Sequence, residues 1–310
     1  MRNFNLLGND TIQLPSGVFA GVESLVCYPS GELEGIRLSK KNMLITHIGE
    51  LIPAYNETYR RKTKYSVEFY KCGMVKAVAL DEMQEIQTPI GEFPAELVTF
   101  FETGELKRFF PLDGKISGMW SEVEEKSLAI PLSFELPFTA FAAIISGVAF
   151  YKNGGIRSIT LFPGERALIT TKYGEILARN GFSLHESGEL ESLEPFKRTE
   201  VQTPIGLLTA FDPHAVGINA DSNSLVFDRI GRIISLTTVH DRVVVQMADR
   251  RSVPFGPRKI VNPLDNESMI TMGQRISFDY GTHTVTFADG KSKATLSIPE
   301  CEFVISAYSS

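Results

Sequence analysis

The stretch FYKNGGIRSI, residues 150–159, decides the fold. Phe150, Ile156 and Ile159 are apolar, Lys152-Asn153-Gly154 is turn chemistry, and Arg157 stands between the two isoleucines. A short hairpin loop commonly places one residue at positive φ, which a β-carbon resists and glycine accepts, so Gly154 marks a chain reversal between two strands.

Outward from this hairpin the pattern recurs. CYPSGELEGI surrounds Gly31, FYKCGMVKAV surrounds Gly73, FFETGELKRF surrounds Gly104, LHESGELESL surrounds Gly188 and FDRIGRIISL surrounds Gly231, with TFADGKSKAT around Gly290 a weaker copy. Four residues before the glycine stand Cys27, Phe69, Phe100, Phe150, Leu184 and Phe227; two after it stand Leu33, Val75, Leu106, Ile156, Leu190 and Ile233. Five after it come Ile36, Val78, Phe109, Ile159, Leu193 and Leu236, again apolar throughout. Between the last two columns lie Glu34, Lys76, Lys107, Arg157 and Glu191, which are expected to face water. The three-residue offset breaks strict alternation and predicts a bulge or bend in the outgoing strand. Cys27, in a slot filled elsewhere by Phe, reads as a small core residue.

A second turn of the form Thr-x-x-Gly alternates with the first: THIG ends at Gly49, TPIG at Gly91, TKYG at Gly174 and TPIG at Gly206, with LPSG at Gly17 a degenerate copy. Gly17 to Gly49 spans 32 residues, room for about four strands of five or six residues in up-and-down order. The expected fold class is all-β, an antiparallel meander of repeated glycine-turn hairpins, either an elongated sheet or solenoid or barrel-like. The register breaks between Gly104 and Gly154, so the expected regions are 1–125, 126–215 and an irregular β region 216–310. In the last, Arg250, Arg251, Pro254, Gly256, Pro257 and Pro263 predict a long loop.

The FYKNGGIRSITL and FFETGELKRF units resemble the aromatic-x-x-Gly hairpins of MORN-like repeats (membrane occupation and recognition nexus), and particularly the bacterial antitoxin-component variant. The likeness covers short windows around Gly31, Gly73, Gly104, Gly154 and Gly188; the units here are longer, and the Gly-x-Gly of standard MORN repeats is missing. It implies an elongated sheet used in binding or scaffolding, and no catalytic residue.

Composition agrees with a folded β protein. Of 310 residues 43% are hydrophobic and 22% charged, and 21 Phe and 9 Tyr accompany a single Trp, a choice suited to pleated surfaces. The net charge is −6 and no basic run is long enough to neutralise a stretch of phosphates, which argues against nucleic acid as a partner. No apolar h-region opens the chain, so a cytoplasmic location is expected. Cys27, Cys72 and Cys301 form no Cys-x-x-Cys pair, and neither a disulfide framework nor a thiolate metal site is indicated. Residues 128–145 are apolar except for Glu135, but Pro131 and Pro137 break a helix, so this segment reads as buried strands joined by a turn. A membrane-facing patch there stays open as the alternative, without support from charge.

Candidate chemistry is sparse. No Gly-x-Ser-x-Gly is present. His47 and His185 read as turn residues, His214 and His240 as loop residues, and His283 as the polar face of a strand. The most interesting polar set is two rows of acids: Glu32, Glu105 and Glu189 after the first turn type, and Glu50, Glu92 and Glu175 after the second. Such rows bind a cation, a sugar or a basic partner, or simply keep exposed turns soluble. No cofactor, metal ligand set or catalytic residue is indicated, and the reading is a non-enzymatic protein-interaction or scaffolding module whose partner is another protein. The alternative is a carbohydrate-binding protein or an enzyme using carboxylates and aromatics on a sheet face.

Overall fold

The six hairpin turns of the first type close in one way. The Gly31 N–H donates to the Tyr28 carbonyl and the Tyr28 N–H to the Glu32 carbonyl, and the same pair of bonds recurs at Gly73, Gly104, Gly154, Gly188 and Gly231. All six glycines have φ between 74° and 103°, the left-handed geometry that excludes branched side chains. The structure is a computed structural model describing residues 3–8, 10–215, 223–262, 267–289 and 292–308. Gly290 and Pro263 lie outside these residues.

The expected bulge lies in the outgoing strand. Val26 pairs with Gly35 while Cys27 pairs with Leu33, leaving Glu34 as the extra residue. The same slip makes Lys76, Lys107, Glu191 and Ile234 the extra residues of their hairpins. In these five hairpins the first two apolar columns are cross-strand partners, Phe69 opposite Val75 and Phe100 opposite Leu106, for example. The third column, Ile36 to Leu236, is fully buried at 0% exposure in all six copies. The bulge is what returns residue five to the core face after a charged residue has been carried past it.

The chain divides into two compact units, Met1–Leu132 with Ile144–Ile159, and Ser133–Ala143 with Thr160–Ser310. The first contains a meander of β1 (Val22–Cys27), β2 (Leu33–Leu38), β3 (Val67–Phe69), β4 (Val75–Thr88), β5 (Gly91–Phe100), β6 (Leu106–Phe110), β7 (Ile145–Phe150) and, up to Ile159, β8 (Ile156–Leu161), each beside its predecessor. The second contains β9 (Gly174–Leu184), β10 (Leu190–Pro195), β11 (Leu225–Phe227), β12 (Ile233–Thr238), β13 (Gln274–Asp279), β14 (Thr284–Ala288) and β15 (Lys293–Ser297) in the same order, and Ala167–Thr171 pairs with β9. Neither run closes into a barrel: among the described residues β1 pairs only with β2 and β15 only with β14.

The Thr-x-x-Gly hairpins form a cover over the apolar face. Each threonine hydroxyl donates to its glycine carbonyl, at 2.8 Å in Thr46–Gly49, Thr88–Gly91 and Thr171–Gly174 and 2.6 Å in Thr203–Gly206. The aromatic residue of such a hairpin meets a ring of a hairpin further along the chain: Phe19 on Phe69, His47 on Phe100 and Tyr173 on Phe227, with centroids 5.7, 6.2 and 6.3 Å apart. Phe93 stacks on Phe109 at 5.3 Å. Edge-on and offset rings are the favoured aromatic contacts, and they join the two turn types into one core per unit.

The two units carry the same plan. Gly17, Gly31 and Gly49 correspond to Gly174, Gly188 and Gly206 at a constant separation of 157 residues, and Gly73 corresponds to Gly231 at 158. SGELE at 30–34 repeats letter for letter at 187–191. Both units also have a connection before the next hairpin, residues 52–66 in the first, and in the second a stretch of which 211–215 and 223–224 are described.

Several sequence expectations change. Cys27 is half-buried instead of a core residue, because β1 is the last strand of its run. The loop expected around 250–257 is a hairpin: Asp241–Met247 pairs with Ser252–Phe255, and Arg250 at φ 66° makes the turn that glycine makes elsewhere. Arg258–Val261 pairs with Met269–Met272. His283 sits at φ 53° in the turn before β14, not on a strand face. The apolar segment 128–145 contains the strands Leu132–Leu136 and Thr139–Ala143, as expected, but only one side of each is buried, with Leu132, Phe134 and Ala143 inward. No helix among the described residues is long and apolar enough to cross a membrane.

Candidate functional site

The six turn acids do not converge. Glu50, Glu92 and Glu175 are exposed at the start of their strands, and Glu92 accepts a bond from the Gln87 amide across its own hairpin. Ser30, Thr103 and Ser187 donate to Glu32, Glu105 and Glu189, and these hydroxyl bonds are the leading cause that lowers each carboxyl below its usual range. These three acids therefore brace the turns that carry them. Among the described residues no group of three or more His, Cys, Asp or Glu side chains could hold a metal ion. The ten turn glycines from Gly31 to Gly231 all take positive φ.

The histidines are equally local. His185 bonds through Nε2 to the Phe227 carbonyl at 3.0 Å, His47 is an exposed turn residue, and His214 and His240 lie in loops. The His185 contact belongs to a series: the Tyr28 hydroxyl donates to the Phe69 carbonyl and the Tyr70 hydroxyl to the Phe100 carbonyl, both at 2.8 Å. In each case the residue three before one turn glycine reaches the carbonyl four before the next. Tyrosine and histidine recur there because the bond needs a flat side chain ending in a polar atom.

Where the units depart from repetition, polar groups do gather. Residues 52–66 form an irregular connection in the first unit, long enough to be a binding loop. Its anchor is Arg60, whose side chain is 12% exposed. The guanidinium donates twice to Glu96, both at 2.8 Å, and twice to Glu125, at 2.8 and 2.9 Å. Trp120 Nε1 donates to Glu125 at 2.6 Å, as does the Gly114 N–H at 2.8 Å, while the Asp113 N–H donates to Glu96 at 2.8 Å. Burial acts to raise the Glu125 carboxyl, but the bonds from Arg60, Trp120 and Gly114 outweigh it and hold the group below its ordinary value. Burial also works against the Arg60 charge, and the two carboxylates overcome it.

Short local devices hold the partners in place. Glu125 lies on the helix Glu122–Ser127, which starts with a capping box between Ser121 and Glu124. Glu96 sits where β5 slips against β4, between Ala95 opposite Gln84 and Leu97 opposite Ala79. Asp81, also in this irregularity, accepts the Tyr55 and Asn56 N–H groups at 3.0 and 2.9 Å.

The second unit places a different charge at the corresponding point. Arg37, six after Gly31, pairs with Glu23 at 3.0 Å and with Glu57 of the loop. Its counterpart, six after Gly188, is Glu194, which is wholly buried, accepts the Ser224 N–H at 2.8 Å and lies 3.5 Å from Arg179. Burial is the main cause that raises the Glu194 carboxyl.

No family model, curated protein or solved structure matches the chain. The functional argument therefore rests on its own geometry. The repeat alignment does not reveal Arg60, Glu96 and Glu125, because they stand 36 and 65 residues apart and belong to no column. Their only sequence signals are the irregular spacing from Gly49 to Gly73 and the acidic run at 122–125.

Proposed function

We propose that the chain is a non-enzymatic protein-interaction module that receives an extended segment of a partner protein along β1. The observation that carries this reading is Leu25. Six residues before each turn glycine, Val67, Val98, Phe182 and Leu225 are 0% exposed and Val148 is 1% exposed, whereas Leu25 is 39% exposed and its neighbour Val26 41%. A position that is core in every other copy is open in the first.

The backbone at this edge is open too. An end strand presents unpaired N–H and C=O groups, which an added strand satisfies while side-chain pockets supply selectivity. The carbonyls of Phe69, Phe100 and Phe227 each accept a Tyr or His of an earlier hairpin of the same turn type, whereas the hairpin before β1, Thr11–Leu14 with Gly17–Ala20, is of the other type. The fitting partner is a β segment with an apolar side chain against Leu25 and a tyrosine or similar donor near Cys27. The likeness of these turns to MORN-type hairpins adds to this reading, and a cytoplasmic partner is in keeping with it.

Parallel affinity capture with the native chain and with Leu25→Lys and Val26→Lys variants tests the proposal. A partner held by the native chain and lost from both folded variants supports it. A partner retained by both variants removes β1 from the interface.

A further inference from the structure

Beneath the loop 52–66 lies a cavity of about 630 Å³, within the size range of small-molecule sites. Its walls come from β1 and β2 on one side and the loop on the other, and carry the cations Arg37, Arg61 and Lys62 against the acids Glu23 and Glu57. The acids are both committed to Arg37. Arg61 donates to the main-chain carbonyls of Leu80, at 2.7 Å, and Asp81, which orient its guanidinium without neutralising it. Neither Arg61 nor the exposed Lys62 has a carboxylate partner among the described residues. The lining thus carries three cations against two acids, a surplus of positive charge in a chain whose net charge is −6, with Arg61 and Lys62 outside the Arg37 ion pairs.

The loop is held in place before any ligand arrives. Arg60, next to Arg61, is clamped by Glu96 and Glu125, and Asp81 fixes Tyr55 and Asn56. Thr58, Thr63 and Asn56 add hydroxyl and amide groups to the lining, and the aromatic rim residue Tyr59, 62% exposed, leans on Trp120 with centroids 5.7 Å apart. Paired cations suit a dianion, the hydroxyl and amide groups suit a polyol, and an exposed ring suits the apolar face of a pyranose or furanose. We propose that this cavity binds a small hydroxylated dianion of the sugar-phosphate class. The cavity takes Glu23 from β1 but neither Leu25 nor Val26, so neither proposal depends on the other.

Titration calorimetry of the full chain with glucose 6-phosphate, glucose and inorganic phosphate tests it, alongside Lys62→Glu and Arg61→Gln. The expected result is saturable binding of the sugar phosphate, no binding of glucose, weaker binding of inorganic phosphate, and at least about a tenfold loss of affinity in each variant. Lys62 is exposed, so its variant reads binding even if Arg61→Gln fails to fold. Absence of sugar-phosphate binding, equal binding of inorganic phosphate, or unchanged affinity in Lys62→Glu each overturns the proposal.

Discussion

The phenol of Tyr70 donates a 2.8 Å hydrogen bond to the main-chain carbonyl of Phe100, so one hairpin is tied to the next by a side chain as well as by its strand ladder. Tyr28 makes the same bond to Phe69. Tyr70→Phe keeps the ring and deletes the donor, and should lower stability by about 1 kcal/mol, the usual net value of one such bond. Urea melts of Tyr28→Phe, Tyr70→Phe and the double variant measure it. A double variant as stable as the native chain contradicts a role for these bonds.

The turn glycines allow strain and crowding to be separated. A β-carbon on Gly104 meets nothing within 4 Å, whereas on Gly73 it would lie 3.0 Å from Pro15 and on Gly154 3.1 Å from Pro89. Gly104→Val should therefore cost the backbone term alone, about 1–3 kcal/mol, and Gly73→Val and Gly154→Val should cost more. Equal stabilities for all three in denaturant melts would show that the prolines of the covering hairpins do not press on these turns.

The apolar columns predict a second ranking. Phe69, Phe150 and Phe227 are at most 1% exposed, and cutting each to Ala should cost about 3–5 kcal/mol where the site cannot collapse. Arg157 is exposed between the buried Ile156 and Ser158, and Arg157→Ala should change stability by no more than about 0.5 kcal/mol. Comparable losses from the two sets would break the register on which the repeat rests.

How far the sequence carries follows from which contacts are local. The columns through Phe69, Val75 and Val78 are legible because each hairpin closes within a dozen residues and repeats its chemistry. The layering is not, because Phe19 meets Phe69 and His47 meets Phe100 across about fifty residues, and no spacing rule announces which ring covers which. The acids Glu32, Glu105 and Glu189 attract notice as a row, yet each accepts a hydrogen bond from a hydroxyl two residues away, Ser30, Thr103 and Ser187. The 157-residue correspondence was written in the sequence, but each local pair of turns looks alike and hides the longer period.

Acid should act on the first unit through the Arg60 cluster. Glu125 has its folded pKa below the ordinary carboxylate value, so the unfolded state takes up the proton first. Its contribution is full above the unfolded value and is lost as pH falls through the folded one. Arg60→Ala strands Glu96 and Glu125 and should cost about 3–5 kcal/mol near neutral pH, with a smaller loss once the acids are protonated. Gly114→Ala should disturb the same cluster, since its methyl carbon would stand 2.0 Å from Glu125 Oε2. Melts of Arg60→Ala across pH check this, and a pH-independent difference from the native chain contradicts it.

The proposed role of β1 is tested most directly by amide hydrogen exchange over residues 22–27, in the free chain and in complex with a captured partner. The predicted result is fast exchange at Leu25 and Cys27 in the free chain and marked protection of this strand on binding, as an added strand takes up its outward N–H groups. Protection that appears elsewhere on the chain while β1 still exchanges at its free rate would contradict strand addition.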